Sequence, residues 1–326
     1  MPATSAAPAG DAHSLVRQYA ECAGTSYPDR SGGGHRRGML LITGATGTVG
    51  SEVLRLLLSK GHALRAMTRD RTRLPASAGF DVVQADYEDP DSLRRAVDGV
   101  ETMLLVTAPP LATVSHDTAM LDAARSAGVA RVVRLSAIGT GEIVDDTKIL
   151  GRWHAEAEQA LRSSGLAWTL VRPSTFASNV RWWVEMINEG EPIPNPTGSG
   201  VQGIVDPRDV AAVAVEALLS PVHAGQTYTL TGPQLLSVPD QASRLERILG
   251  RQVRTIDEPI EAARRRMRSA GMHESFVDLA LTGSAWVRAG HNAIVTDDVP
   301  RILGRPATSF EAWVEDHRHA FASRGA

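Results

Sequence analysis

Leu40-Leu41-Ile42-Thr43-Gly44-Ala45-Thr46-Gly47-Thr48-Val49-Gly50 is the stretch on which the fold turns. A short apolar strand runs directly into three glycines. The next residues place Val49, Val53, Leu54, Leu56 and Leu57 at helical spacing up to Ser59. Strand, glycine turn and helix together read as the first βα turn of a doubly wound sheet. There the helix N-terminus and bare backbone amides can hold a dinucleotide pyrophosphate, and the last glycine lets helix and strand approach. The spacing is G-x-x-G-x-x-G rather than G-x-G-x-x-G, so the placement carries the reading more than the spacing does. Gly44, Thr46, Gly47, Thr48, Val49 and Gly50 are the candidate cofactor-binding residues; a purely structural glycine turn is the competing reading.

Outward from this turn, apolar runs at 39–43, 63–68, 80–84, 102–107, 131–136 and 167–171 alternate with helical stretches such as Asp91 to Val97 and Thr118 to Ser126. That rhythm predicts an α/β chain with a parallel sheet of the Rossmann type. After Arg172-Pro173 the segments become mostly helical, broken by Thr227-Tyr228-Thr229-Leu230. The expected division is a nucleotide-binding domain over 39–175 with a returning strand near 227–231, and a smaller, mainly helical lobe from 176–226 and 232–326. Ser237 with Asp240, and Thr308 with Glu311, read as capping boxes. Residues 1–38, rich in Ala, Ser and Gly, read as a flexible extension whose removal leaves folding and cofactor affinity nearly unchanged.

With 43% apolar and 22% charged residues and a net charge of -3, the chain has globular composition and no positive field to collect nucleic acid or anionic lipid. The single cysteine, Cys22, excludes an internal disulfide and fits a reducing compartment. No apolar run is long enough to span a bilayer, and no leader pattern opens the chain. A cytoplasmic protein with no metal, membrane or nucleic-acid partner is expected.

The second strand ends at Arg69-Asp70. A guanidinium there can grip a 2′-phosphate that a carboxylate repels, which favours NADP; Asp70 keeps NAD open. At the third strand's end, Asp86 and Tyr87 can offer an acceptor to the adenine amino group and a ring beside it, or form an ordinary surface turn. The fourth strand ends at Thr107-Ala108-Pro109, where missing donors and small side chains suit contact with a nicotinamide ribose; a plain loop break is the alternative.

These residues, with His154-Ala155-Glu156-Ala157-Glu158, Ser164 to Pro173, Asp206-Pro207-Arg208-Asp209-Val210 and Tyr228 to Gly232, resemble the NmrA-like branch of the atypical short-chain dehydrogenases. Within it the chain is similar to quinone and triphenylmethane reductases, from about Met39 to Phe321. The resemblance implies NADP binding, a parallel sheet with a small C-terminal lobe, and reduction of a planar conjugated substrate.

The Tyr-x-x-x-Lys pair of better-known short-chain dehydrogenases is missing. The tyrosines are Tyr19, Tyr27, Tyr87 and Tyr228, and none has Lys60 or Lys148, the only lysines, four residues on. A simple alcohol dehydrogenase is therefore disfavoured. An electrophile that spreads incoming charge over its own π system needs positioning more than an acid. Two candidate catalytic residues stand near the expected nicotinamide site. His154, one helical turn before Glu158, is either close to the nicotinamide or substrate, or a capping or core histidine bonded to Glu158. Ser136, at the carboxyl edge of the fifth strand, offers a hydroxyl to a substrate oxygen or bonds locally. Phe176, Asn179, Trp182, Trp183 and Met186 form a candidate substrate wall suited to a flat guest, with ordinary lobe packing as the alternative. The leading reading is an NADPH-dependent reductase of a conjugated electrophile. Its rivals are an NADP-binding redox sensor without catalysis and a cofactor-assisted tailoring enzyme.

Overall fold

The computed structural model describes residues 38–74, 79–107, 113–145 and 148–322. The extension before Gly38 and the site candidates Ala108 and Pro109 lie outside the described residues.

Seven parallel strands form the central sheet: β1 (Met39–Ile42), β2 (Leu64–Thr68), β3 (Asp81–Gln84), β4 (Val100–Leu105), β5 (Arg131–Leu135), β8 (Ala167–Pro173) and β11 (Gln226–Leu230), with β6 (Ile143–Asp145) and β7 (Lys148–Ile149) forming a small hairpin between β5 and β8. Their order is β11-β8-β5-β4-β1-β2-β3. Strand order reverses between β1 and β4, and that crevice at the carboxyl ends is where a doubly wound sheet takes its ligand.

All strands but the edge strand β11 feed residues to two cores, as a sheet covered on both faces requires. On one face α1 (Thr48–Ser59) buries Val49, Val53, Leu54 and Leu57 against Leu40, Ile42 and Val133. On the other, α2 (Pro90–Val97), α3 (Ser115–Ser126) and α4 (Arg152–Ser163) cover Leu41, Met103, Leu105 and Val132. After β8 come α5 (Val184–Glu189) and α6 (Pro207–Leu219).

The expected lobe boundaries need two corrections. Segment 176–226 does not belong wholly to the lobe, because α6 packs with α1 on the first face of the sheet. It buries Val210, Val213, Ala214, Val215, Ala217 and Leu218 and is apolar on nearly every side, as a helix covered all round must be. Asp206 caps α6 by accepting from the Arg208 amide. Asp209, fully buried, accepts from the Thr308 amide at 2.6 Å and from Arg305, tying α6 to the C-terminal segment.

The lobe itself contains α7 (Val238–Leu249), α8 (Ile260–Ser269) and α9 (Glu274–Arg288), while α10 (Asp298–Leu303), expected in the lobe, packs with α6 and β11 and buries Val299 in the sheet core; α11 (Phe310–Asp316) returns to the lobe, which also holds the two-stranded ladders β10 (Gln202–Gly203) with β12 (Leu235–Leu236), and β9 (Ile193–Asn195) with β13 (Thr255–Asp257). Its core joins Val180, Ile187, Leu245, Phe310 and Trp313. The Ser237–Asp240 capping box is present. The Thr308–Glu311 box is not: Ser309 caps α11 through the Ala312 amide, and Thr308 is occupied by Asp209.

Candidate functional site

The glycine turn is a cradle built from backbone. Gly44 has φ +59° and lies against Val106, so a Cβ there would stand 2.9 Å from the Val106 Cβ. A Cβ on Gly50 would stand 2.2 Å from the Gly44 carbonyl oxygen, so α1 meets the turn at a distance only glycine permits. Thr43 fixes the neighbouring edge. Its hydroxyl bonds the Leu104 and Val106 carbonyls and receives the Val106 amide at 2.8 Å, clamping the end of β1 to the end of β4. Gly47, the N-cap of helix α1, supplies no side-chain cap, the first turn carries no acid, and Gly47 and Thr48 are exposed. Uncapped amides and an uncompensated positive helix end are what a pyrophosphate requires, so the residues fit a dinucleotide.

Arg69 is exposed at the end of β2, and Arg71 and Arg73 follow it on a short helical turn, also exposed. Asp70, also exposed, accepts at Oδ1 from the Thr72 amide and hydroxyl, bonds that hold its carboxyl below the usual range. Asp86 Oδ1 accepts from the Glu88 amide. Tyr87 donates its hydroxyl to the Val106 carbonyl at 3.0 Å and stacks on His116; burial raises its pKa, and it holds the β3 end to the same turn that Thr43 clamps.

At the end of β5 the two candidate catalytic residues enter separate networks. Ser136, 4% exposed, donates to Glu158 Oε1 at 2.6 Å. The same carboxylate receives two bonds from Arg172, at 2.8 and 2.5 Å, and an ion pair from Arg162. Burial raises the Glu158 pKa, but the Arg172 and Ser136 hydrogen bonds outweigh it and the net shift is downward. The Ser136 proton is therefore committed, and toward a ligand its oxygen acts as an acceptor. The expected offer of that hydroxyl proton to a substrate oxygen does not match this arrangement.

His154 does not bond Glu158. Its Nδ1 lies 3.2 Å from Arg134 Nη1, and its ring stacks on Trp153 with centroids 3.7 Å apart. A guanidinium only donates, so Nδ1 accepts and the imidazole proton sits on Nε2. Burial first, then the charges of Arg134 and Arg172, push the His154 pKa down to about 3. The imidazole is neutral at pH 7.

A stability consequence follows from linkage. Below the ordinary histidine value near 6.5 the unfolded chain binds a proton at His154 that the folded one refuses, so stability falls as pH drops from about 6.5 toward 3. Thermal unfolding followed from pH 7 to pH 5 is expected to show this slope, and His154→Gln to reduce it; equal slopes would disprove the assignment.

Thr107 donates its hydroxyl to Asp117 Oδ2 at 2.9 Å, and Asp117 Oδ1 receives Arg134 Nε at 2.8 Å. Sequence reasoning missed Arg134 and Asp117; the available signal was a charge inside the apolar run Val132-Val133-Arg134-Leu135. The candidate substrate wall is split. Phe176 packs against the sheet core, Trp183 against the lobe core, and Trp182 is 55% exposed; Asn179 and Met186 are half-buried.

A parallel sheet with a glycine cradle at its switch point defines a dinucleotide-binding protein. A family model described as NAD(P)H-binding matches residues 44–221, and the chain belongs to that family. It is 36% identical over 287 residues to an NAD(P)H azoreductase of Xenophilus azovorans, covering 87% of this chain and 100% of the relative. It is 38% identical over 285 residues to the (4-alkanoyl-5-oxo-2,5-dihydrofuran-3-yl)methyl phosphate reductase of Streptomyces griseus, covering 87% and 99%. Among solved structures, the NADPH-dependent quinone oxidoreductase of Escherichia coli complexed with NADPH superimposes with a TM-score of 0.76 at 26% identity, covering 86% of this chain and 100% of that one. The chain is an NAD(P)H-dependent oxidoreductase of the reductase type. No helix among the described residues is long and apolar enough to cross a membrane.

Proposed function

We propose that this reductase uses NADPH to reduce a small conjugated electrophile of the quinone, azo, iminium or enone kind. The observation that carries the reading is the shortage of proton donors at the end of β5 among the described residues. Ser136 has committed its proton to Glu158, His154 is a neutral imidazole, and the Tyr-x-x-x-Lys pair is missing from the sequence. A carbonyl of low reactivity needs an acid at its oxygen as charge develops. A conjugated acceptor delocalises that charge and takes its proton from water, so the site's task is positioning. Bound NADPH supplies the hydride; the chain's residues hold it, hold the acceptor against it and limit water. The azo, quinone and oxo-dihydrofuran groups in the relatives' names are all conjugated acceptors.

In this reading the Gly44–Gly50 cradle takes the pyrophosphate, Arg69 takes the 2′-phosphate with Arg71 and Arg73 beside it, and Asp86 and Tyr87 flank the adenine. The lobe closes over the carboxyl edge of the sheet, and Asn179, Trp182 and Met186 face the acceptor. NADPH oxidation followed by absorbance across a panel of quinones, azo dyes, iminium ions, enones and unactivated ketones tests it. Turnover of the conjugated members alone is expected; ketones reduced as fast as quinones would sink the proposal. Replacing Arg69 with Ala should cost about ten-fold or more in NADPH affinity by removing a charge-assisted contact, and leave NADH affinity nearly unchanged. Titration of both nucleotides by calorimetry reads this, and equal losses for the two would refute the role of Arg69.

A further inference from the structure

Arg134 is a cation in the middle of a buried parallel strand, with its side chain 0% exposed, and Asp117 on α3 is equally buried. Such a pair costs several kcal/mol of desolvation for each ion, and apolar residues of similar volume commonly serve stability as well. Stability alone therefore does not account for it. The guanidinium is not placed for the best ion pair either. A fork-to-fork contact would give two nitrogens to Asp117, yet only Nε reaches it, at 2.8 Å. Nη1 is turned to His154 Nδ1 at 3.2 Å and to the Leu135 carbonyl at 3.3 Å, while Nη2 is buried with no partner among the described residues and the group lies 5.6 Å over the Trp153 ring. The other Asp117 oxygen holds Thr107. One connected set of bonds thus runs from the end of β4, through Asp117 and Arg134, to the first turn of α4.

We infer that Arg134, oriented by Asp117, is a positioning residue that locks His154 in the tautomer with its proton on Nε2, so that the imidazole serves the acceptor as a fixed neutral donor and never as an acid. Its use in catalysis rests on the reductase reading above; the tautomer rests on the geometry alone. The charges facing His154 are Arg134 from β5, Arg172 from β8, Asp117 from α3 behind Arg134, and Glu158 one turn along α4. Asp117 and Glu158 are each already bound to guanidinium groups. Burial and the two guanidinium groups oppose a charge on the ring, in the direction the lock requires.

The decisive measurement is nitrogen-15 NMR of the histidine side chains in the full chain, with His154 assigned from the spectrum of His154→Gln. The wild-type signal should report the Nε2–H tautomer and show no titration between pH 5 and 8. In Arg134→Met, His154 should titrate higher than in the wild type, moving toward the ordinary value without reaching it because burial and Arg172 still oppose the charge. With a water-soluble benzoquinone as probe, wild-type kcat should be flat in this range. Arg134→Met should lose between about 10- and 100-fold in kcat with KM for NADPH held, and gain an ionisation in its profile. Arg134→Lys keeps a cation and should restore the flat profile with part of the rate. If Arg134→Met alone fails to fold because Asp117 is stranded, Asp117→Leu with Arg134→Met removes both charges and should show the same titration. A wild-type His154 that titrates above about pH 5.5 or carries its proton on Nδ1 overturns the inference, and so does Arg134→Met with unchanged kcat and profile. Expected spectra with no acceptor reduced would instead refute the reductase reading and leave the tautomer assignment standing.

Discussion

Asp117→Ala is expected to lower the unfolding free energy by about 3–5 kcal/mol. The side chain is fully buried on α3, and its two oxygens serve Arg134 Nε and the Thr107 hydroxyl. Truncation strands a guanidinium that β5 cannot move into water, leaving it with the Leu135 carbonyl and a histidine nitrogen as acceptors. Breaking one half of a buried pair costs far more than the pair is worth, because the surviving charge keeps its desolvation penalty. Asp117→Leu combined with Arg134→Met should therefore recover most of the loss, since neither charge is then buried. Denaturant unfolding of the two singles and the double closes the cycle. A double variant as unstable as Asp117→Ala would show that the loss comes from packing or from Thr107, and the account of a stranded charge would fail.

This same pair marks the boundary of what the sequence discloses. The parallel sheet is legible because short apolar runs and helical spacers alternate, and the cradle because glycines fall between a strand and a helix. Helix α6 is harder. Its apolar residues Val210, Val213, Ala214 and Leu218 announce burial, but periodicity does not say against which layer, and only the packing with α1 shows that it covers the sheet. The Thr308–Glu311 spacing is a sound capping pattern, displaced because a buried carboxylate at Asp209 claims Thr308 and leaves Ser309 to cap.

The site is legible to the extent that local chain geometry builds it. Ser136 and His154 stand at the end of β5 and the start of α4, as strand and helix ends dictate. Their partners come from elsewhere. Glu158 takes Arg172 from β8, and His154 takes Arg134 from β5, pairings between segments that sequence spacing does not relate. The turn of His154 away from Glu158 follows: residues four apart share a helical face, but Glu158 is saturated by Ser136, Arg172 and Arg162, and the imidazole finds a donor on the neighbouring strand. The same reasoning separates the aromatic residues after β8, where Phe176 and Trp183 go into two different cores and Trp182 stays at the surface.

Gly50→Ala is expected to reduce NADPH affinity by at least about 100-fold and to destabilise the chain by about 1–3 kcal/mol through overpacking. The added Cβ would lie 2.2 Å from the Gly44 oxygen, 2.8 Å from the Gly44 carbonyl carbon and 3.2 Å from the Ala45 Cα. All three are backbone atoms, so no side chain can swing aside. Gly44 itself is pinned, with φ +59° on one side and Val106 against it on the other. Thr43 and Tyr87 both bond the Val106 segment, so the turn has no slack in that direction. Relief has to come from α1, whose N-terminus must withdraw from the turn. Val53, Leu54 and Leu57 resist that withdrawal, being fully buried beneath it. Displacing the uncapped helix end takes its amides out of reach of a pyrophosphate, which is why affinity should suffer more than stability. Gly283→Ala on α9 is the matched control: its Cβ meets nothing within 4 Å, and helix propensity should raise stability by up to about 1 kcal/mol without touching the cofactor. Calorimetric titration of both variants with NADPH, alongside thermal unfolding, reads the two effects separately. Gly50→Ala binding NADPH within a factor of about three of wild type would mean that the close approach of α1 to Gly44 is not what holds the pyrophosphate.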